Sequence, residues 1–438
     1  MTDFFATYGE AAKTAFGFFW KAGWAFVLGY AISAMIQAFV PKMRLTKAMG
    51  DASPKSVGLA TGFGMLSSSC SFAALAAARS LVQKGSHFVA AVAFMFASTN
   101  LVIELGILIF IFLGWQFLAA EIVGGLILIA ISSALIRLTY PKKWLEAGRK
   151  KAEQEGEEEE NFDWKKRIRS KEGWNRVGMN FTMEWGMVWQ EILIGFTVAG
   201  FVAAFVPESF FQTIFLADQA QENPGNFLIA LQNAAVAPFV AAATFIGSMG
   251  NIPLATVLNS SGVLFAGIMG FIYSDLMVPP LVKVNAKYYG WRVALYIAGI
   301  MYVSIVSTAL ILHYGFYFTG LTPESAKKVE DVAQFAIDYT FFLNLAALIL
   351  AGVMIWLRRR MQKGEHAHHH DHGGSGRSFQ DYVTYLFIAI LAGGLIAFAL
   401  TGGEEASSST AEGDAPQATS TLIPPAHAEI YTPFGERT

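Results

Sequence analysis

Charge is scarce in these 438 residues. Asp, Glu, Lys and Arg together make 15%, and 54% of positions are hydrophobic; a soluble domain carries about a quarter charged residues. The 33 acidic and 31 basic residues leave a net charge of −2, so the chain has no bulk field for nucleic acid. Cysteine occurs once, as Cys70. That excludes an intramolecular disulfide, and a zinc ribbon or iron–sulfur centre built within this chain. No Gly-x4-Gly-Lys-Ser/Thr run occurs, so ATP coupling would need another chain. No basic stretch precedes an apolar core at Met1-Thr2-Asp3, and no cleaved signal peptide is expected.

Long apolar runs are what the chain has instead. Crossing ~30 Å of hydrocarbon takes about 20 residues as a helix. Such runs lie near 22–40, 87–113, 117–138, 186–206, 262–282, 292–313, 335–357 and 381–400. Two further stretches, 57–82 and 226–259, are rich in Gly, Ser, Ala and Asn, and the second holds Pro238 and Pro253. They read as broken or re-entrant hairpins. The expected class is an all-α polytopic membrane protein of about eight transmembrane helices plus two hairpins.

Basic residues set the orientation. They cluster in 41–56, in 139–180 with eleven Lys and Arg, in 283–292, and at Arg358-Arg359-Arg360, whereas 207–225 has none. The basic loops are expected in the cytoplasm, and 207–225, 314–334 and the tail outside. The count closes only if both hairpins return to the side they entered from. The acidic run Glu157–Glu160 reads as part of a solvated cytoplasmic loop, and 401–438 as a disordered tail.

An offset of 177 aligns 70–98 with 247–275 without gaps, and pairs Ser71/Ser248, Ala78/Ala255, Leu81/Leu258, Gly85/Gly262, Phe88/Phe265 and Phe94/Phe271. Each half reads span, hairpin, span, span, starting from opposite sides. That predicts an inverted-topology repeat, a frequent build of secondary transporters. Its halves would be 1–138 and 181–315, joined by a charged loop 139–180. Two accessory spans follow in 316–400.

Ser67-Ser68-Ser69-Cys70-Ser71, Lys84-Gly85 and Ala93–Ser98 resemble the first signature of the predicted-permease family that includes the organoarsenical exporters (ArsP/YraQ type). Gly250-Asn251-Ile252-Pro253-Leu254-Ala255, Gly262, Phe271–Leu276, Pro279 and Tyr288–Arg292 resemble the second. The family's second cysteine position is Phe72 here, and its proline position is Ala76. The resemblance covers roughly 20–315. It implies a multi-pass permease of the cytoplasmic (inner) membrane.

Candidate path residues follow from polar chemistry in apolar surroundings. Asp275 lies within an apolar run and is the candidate coupling carboxylate, with Ser98, Thr99 and Asn100 as its counterpart in the first half. Glu104 and Glu191 are further intramembrane carboxylates. Glu121 and Glu184 are placed at the interface. Ser67, Ser69, Ser71, Gly247, Ser248, Gly250, Asn251 and Pro253 form the hairpin cradle, where Gly permits close approach and Ser and Asn serve backbone groups freed by a break. Cys70 is a potential soft ligand. His366, His368, His369, His370 and His372 sit in a cytoplasmic loop, 364–376, where clustered imidazoles can hold a metal. No resident cofactor is expected, and neither is an enzyme: His87 and His313 stand at no useful spacing from a nucleophile. The expected partners are the bilayer, a small solute or ion, and a second copy of the chain. The expected function is a proton- or cation-coupled exporter of a metalloid or metal species. The alternative is a divalent-metal channel or sensor using the His loop.

Overall fold

The computed structural model describes residues 2–39, 49–67, 71–83, 85–139, 164–244, 246–323, 329–333, 338–362 and 379–408. Ser69, Cys70 and the five loop histidines lie outside them, and so do the tail from 409 and most of the charged loop. Among the described residues the structure is helical, without a strand.

The first helix, α1, runs Thr2–Phe39, about twenty residues earlier than the span expected from 22. Residues 4–21 explain it: they carry six aromatic rings besides Tyr8, and their charges are only Glu10, Lys13 and Lys21. The first hairpin is α2 (Pro54–Ser67) and α3 (Ser71–Gln83). The run at 87–113 is a bent pair, α4 (Phe88–Asn100) and α5 (Ile103–Phe112), meeting at 42°. His87 caps α4, its Nδ1 accepting from the Val89 N–H at 3.2 Å. Next comes α6 (Trp115–Thr139).

A short helix α7 (Trp164–Arg169) leads into α8 (Lys171–Phe205), which Ser170 caps by accepting from the Gly173 N–H at 2.9 Å. Helices α9 (Glu208–Phe215) and α10 (Ala217–Glu222) precede the second hairpin, α11 (Phe227–Thr244) and α12 (Ser248–Ser260). The prolines do not make its break. Pro238 and Pro253 lie inside the two helices, and the break falls between the end of α11 at Thr244 and the start of α12 at Ser248.

The run at 262–282 is not one helix either. It divides into α13 (Phe265–Ile272), a 3₁₀ turn Asp275–Met277, and α14 (Pro279–Tyr289). The Pro279-Pro280 pair starts α14, because proline suits the first helical turn and cannot continue a preceding one. Asp275 therefore sits at a break, not mid-helix. After these come α15 (Trp291–Thr319), α16 (Val329–Val332) and the accessory helices α17 (Tyr339–Gln362) and α18 (Phe379–Ser408).

Seven of these helices are long and apolar enough to cross a membrane, and the α4–α5 pair makes an eighth. α11 is one of the seven, so the first arm of the second hairpin has spanning length. In lipid, helices associate through close packing rather than through a hydrophobic drive. The centre of that packing is Phe196 on α8, ringed by Phe18, Phe19, Phe26 and Phe112 with centroids 4.9–6.4 Å apart. α17 and α18 are held on the outside of α1 and α8. Asn344 donates to the Trp20 carbonyl at 2.8 Å, Gln190 to Asp381 at 3.0 Å, and Tyr8 to the Ile390 carbonyl.

Candidate functional site

The two hairpins supply the site. α3 and α12 both begin with serine, at positions 177 apart, and those serines touch: Ser71 Oγ lies 3.2 Å from Ser248 Oγ. The next helices, α4 and α13, also start 177 apart, at Phe88 and Phe265. Between them Gly85 and Gly262 both take positive φ, +94° and +80°, a conformation glycine adopts without steric cost.

Asp275 closes the junction. Its side chain is fully buried, and Ser71 Oγ donates to its Oδ2 at 3.0 Å. Its Oδ1 meets no hydrogen-bond partner among the described residues. The position follows from the break after α13. Ser274 turns its hydroxyl back onto the Gly270 carbonyl, and the 3₁₀ turn then carries the carboxylate to the start of α3. A helix start presents unsatisfied N–H groups and the positive end of its dipole. Two such starts meeting here give a buried negative charge its compensation.

Glu191 on α8 reaches the same place. Its carboxylate lies against Gly247, so close that a Cβ built there would stand 2.6 Å from Oε2. One turn further along α8, Gly195 packs on Gly250, where an added Cβ would come within 2.5 Å of the Gly250 Cα. Gly195 cannot be larger without moving a helix, whereas a larger residue at Gly247 would push the Glu191 carboxylate aside. Glu191 and Asp275 also act on each other electrostatically. Asn251, one turn into α12, is fully buried, and both atoms of its amide head lack a partner among the described residues. Pro253 withholds the donor that the Met249 carbonyl would otherwise take, which leaves one more acceptor near the start of α12.

The structure thus brings together Ser71, Gly247, Ser248, Gly250, Asn251, Asp275 and Glu191. The remaining candidates lie elsewhere. Ser98 and Thr99 turn back onto carbonyls of their own helix, at 3.0 Å to Met95 and 3.2 Å to Phe96 respectively. Asn100 does likewise through its NH₂ and faces a separate crevice between α1, α5 and α6. Glu104 is buried where α5 crosses α1 at Gly29. Ser67 ends α2, its carbonyl accepting from Gln37 at 3.3 Å.

Two carboxylates placed at the interface are in fact interior. Glu184 is buried and accepts from Ser33 at 3.1 Å and from Gln37, a polar link between α1 and α8 beside the end of α2. Ser33 and Gln37, four apart on α1, were the available signal. Glu121 on α6 is 1% exposed and acts electrostatically on Asp275. It is covered because Tyr273, from the end of α13, donates to the Ala120 and Glu121 carbonyls at 3.0 and 3.3 Å.

No solved structure matches the chain. A protein of Mycobacterium tuberculosis named "Putative permease Rv2963" is 37% identical over 329 residues, covering 72% of this chain and 79% of the relative. The family model described as predicted permease (ArsP_1) matches residues 7–314, which hold both hairpins, Asp275 and Glu191. The chain, an all-α multi-pass membrane protein, belongs to this predicted-permease family.

Proposed function

We propose that the chain is a proton- or cation-coupled secondary permease of the cytoplasmic membrane, exporting a small metalloid or metal species, with Asp275 as the coupling group. The observation that carries this reading is the fully buried Asp275 carboxylate at the meeting of two helix starts, served by the Ser71 hydroxyl at 3.0 Å. Intramembrane carboxylates mark ion and proton paths, and broken helices meeting near midplane are where secondary transporters bind their cargo. A proton arriving at Asp275 removes the charge that Ser71 serves. The hydroxyl is then free to turn toward a bound solute, while Asn251 and the Met249 carbonyl offer further polar contacts. Loss of the proton restores the first arrangement and expels the solute.

Alternating access needs two halves that exchange roles. The shared helix starts at 71/248 and 88/265, and the paired positive-φ glycines, support reading 1–138 and 181–315 as an inverted-topology repeat. The metalloid class rests on family membership and on the family-like Cys70 motif. The test is uptake into inside-out vesicles under an imposed proton gradient, with methylarsenite, arsenite and divalent metals in one panel. Gradient-driven accumulation of one of these, lost in Asp275→Asn, is the expected result. Passive flux unaffected by the gradient, or wild-type transport by Asp275→Asn, overturns the reading.

A further inference from the structure

Asp275 acts electrostatically on two other carboxylates, Glu121 and Glu191, and the two differ in access. Glu121 is buried, with the Tyr273 hydroxyl beside its side chain. Asp275 is fully buried as well. Glu191 is half-buried, so of the three it alone reaches the molecular surface.

A line of oxygen atoms leads from Glu191 to Asp275. The Glu191 carboxylate lies against Gly247, in the space a side chain there would take, and Ser248 is the next residue. Ser248 Oγ is 3.2 Å from Ser71 Oγ, and Ser71 Oγ donates to Asp275 Oδ2 at 3.0 Å. A serine hydroxyl has one proton and two acceptor lone pairs. The Ser71 proton is committed to Asp275, so in the contact between the serines Ser248 is the donor. Ser248 Oγ then keeps a lone pair for a further donor, and the next polar group in the line is the Glu191 carboxyl. Both hydroxyls point toward Asp275. Ser248 also interacts with the Asp275 carboxylate itself, so a proton that reaches Ser248 has a direct route as well as one through Ser71. Two nearby carboxylates repel each other when both are charged, and one proton shared between them relieves this. Chains of carboxylates and hydroxyls within a membrane protein serve as proton relays.

We propose that Glu191 is the proton-loading group for Asp275, and that the Ser248 and Ser71 hydroxyls carry the proton between them. The proposal rests on the reading of Asp275 as the coupling group and makes the proton the coupling ion. The Glu191 proton joins Ser248 Oγ, the Ser248 proton passes to Ser71 Oγ, and the Ser71 proton passes to Asp275 Oδ2. Three O–H bonds break and three form, both serines end neutral, and the negative charge moves from Asp275 to Glu191. A turn of the Glu191 side chain, or one bridging water, completes the first step. The experiment is time-resolved infrared spectroscopy of the full chain in phosphatidylcholine nanodiscs after light-triggered release of a caged acid. The carboxylic-acid C=O band that Asp275→Asn removes reports protonation of Asp275, and no cargo is needed. Glu191→Gln and Ser248→Ala are each expected to slow the rise of that band at least tenfold while its final amplitude is kept. Ser248→Thr, which keeps the hydroxyl, should rise at the wild-type rate. A lost packing contact does not discriminate in this way between alanine and threonine. A wild-type rise in folded Glu191→Gln, or in folded Ser248→Ala, overturns the relay and leaves Asp275 as the coupling group. Equal slowing by Ser248→Thr and Ser248→Ala also overturns it. Absence of any Asp275-dependent band in the wild type overturns the relay and proton coupling at Asp275 together. That last outcome is read without Glu191 or Ser248 variants, so the proposal stays falsifiable if either fails to fold.

Discussion

A hydroxyl that donates to a buried carboxylate contributes about 1.5–3 kcal/mol. Ser71 does this for Asp275 at 3.0 Å. If the interaction differs between the stages of transport, its removal changes the rate by about tenfold for each 1.4 kcal/mol. Ser71→Ala is therefore expected to slow gradient-driven transport by roughly ten- to hundredfold. Ser71→Thr, which keeps the hydroxyl, should retain most of it. Initial rates in inside-out vesicles at matched expression decide the matter. Equal rates for Ser71→Ala and wild type would show the hydrogen bond to be constant through the cycle. Glu121 shows where residue-level reading fell short. Its place near a helix end suggested an interface anchor, but Tyr273, 152 residues away, covers it. No local pattern carries a contact of that separation. Asp275 was legible, because a lone carboxylate among apolar residues stands out wherever the helix breaks.

At the scale of elements, glycines separate contact from ornament. Gly195 lets α8 approach α12 until backbones touch at Gly250, whereas Gly186 on the same helix has nothing within 4 Å of a built Cβ. Gly195→Ala is expected to lower the thermal midpoint in detergent and to displace Glu191 from Gly247, with loss of transport. Gly186→Ala should be neutral or stabilising by up to about 1 kcal/mol, the helix-propensity difference between the two residues. A common effect of both substitutions on the melting curve would refute the close-approach argument. The start of α2 offers a pH test outside the membrane. The Ser56 and Ser53 hydroxyls and the Ser53 N–H hold the Asp51 carboxyl down to about 2. A lowered native value means this stabilisation is complete above the unfolded value of about 3.9 and is lost as pH falls through about 2. Hydrogen exchange at residues 55–57 should accelerate across that window in the wild type and show no such step in Asp51→Asn. The breaks at 85 and 262 were readable as a glycine repeat. The break at 273–274 was not, since Tyr273 and Ser274 are no helix breakers and the turn is held by Ser274 bonding back to Gly270.

The molecule as a whole is asymmetric in its basic residues. The loop at 207–225 holds none, whereas Lys283 and Lys287 are exposed on α14. With Cys70 replaced, a single cysteine at Asn223 is expected to react with an impermeant reagent in intact cells, and one at Lys287 only after permeabilisation. The reverse pattern would invert the orientation. Deleting 366–372 should leave transport of the main cargo nearly unchanged, because the His-rich segment lies outside the family-matched residues 7–314. Complete loss of transport by a stably expressed deletion would put the segment in the path.

Ser71 and Ser248 stand at matching places in two stretches 177 residues apart, and they touch. Any twofold axis that exchanges those stretches passes between the two hydroxyls. A cycle in which the stretches trade places leaves that point where it is, while every other part of the hairpins moves around it. On the proposed inverted repeat, the hydroxyl pair is a fulcrum. On that proposal, a change there is expected to weigh on the inward- and outward-facing states alike, and to alter how fast the protein tips rather than which way it rests.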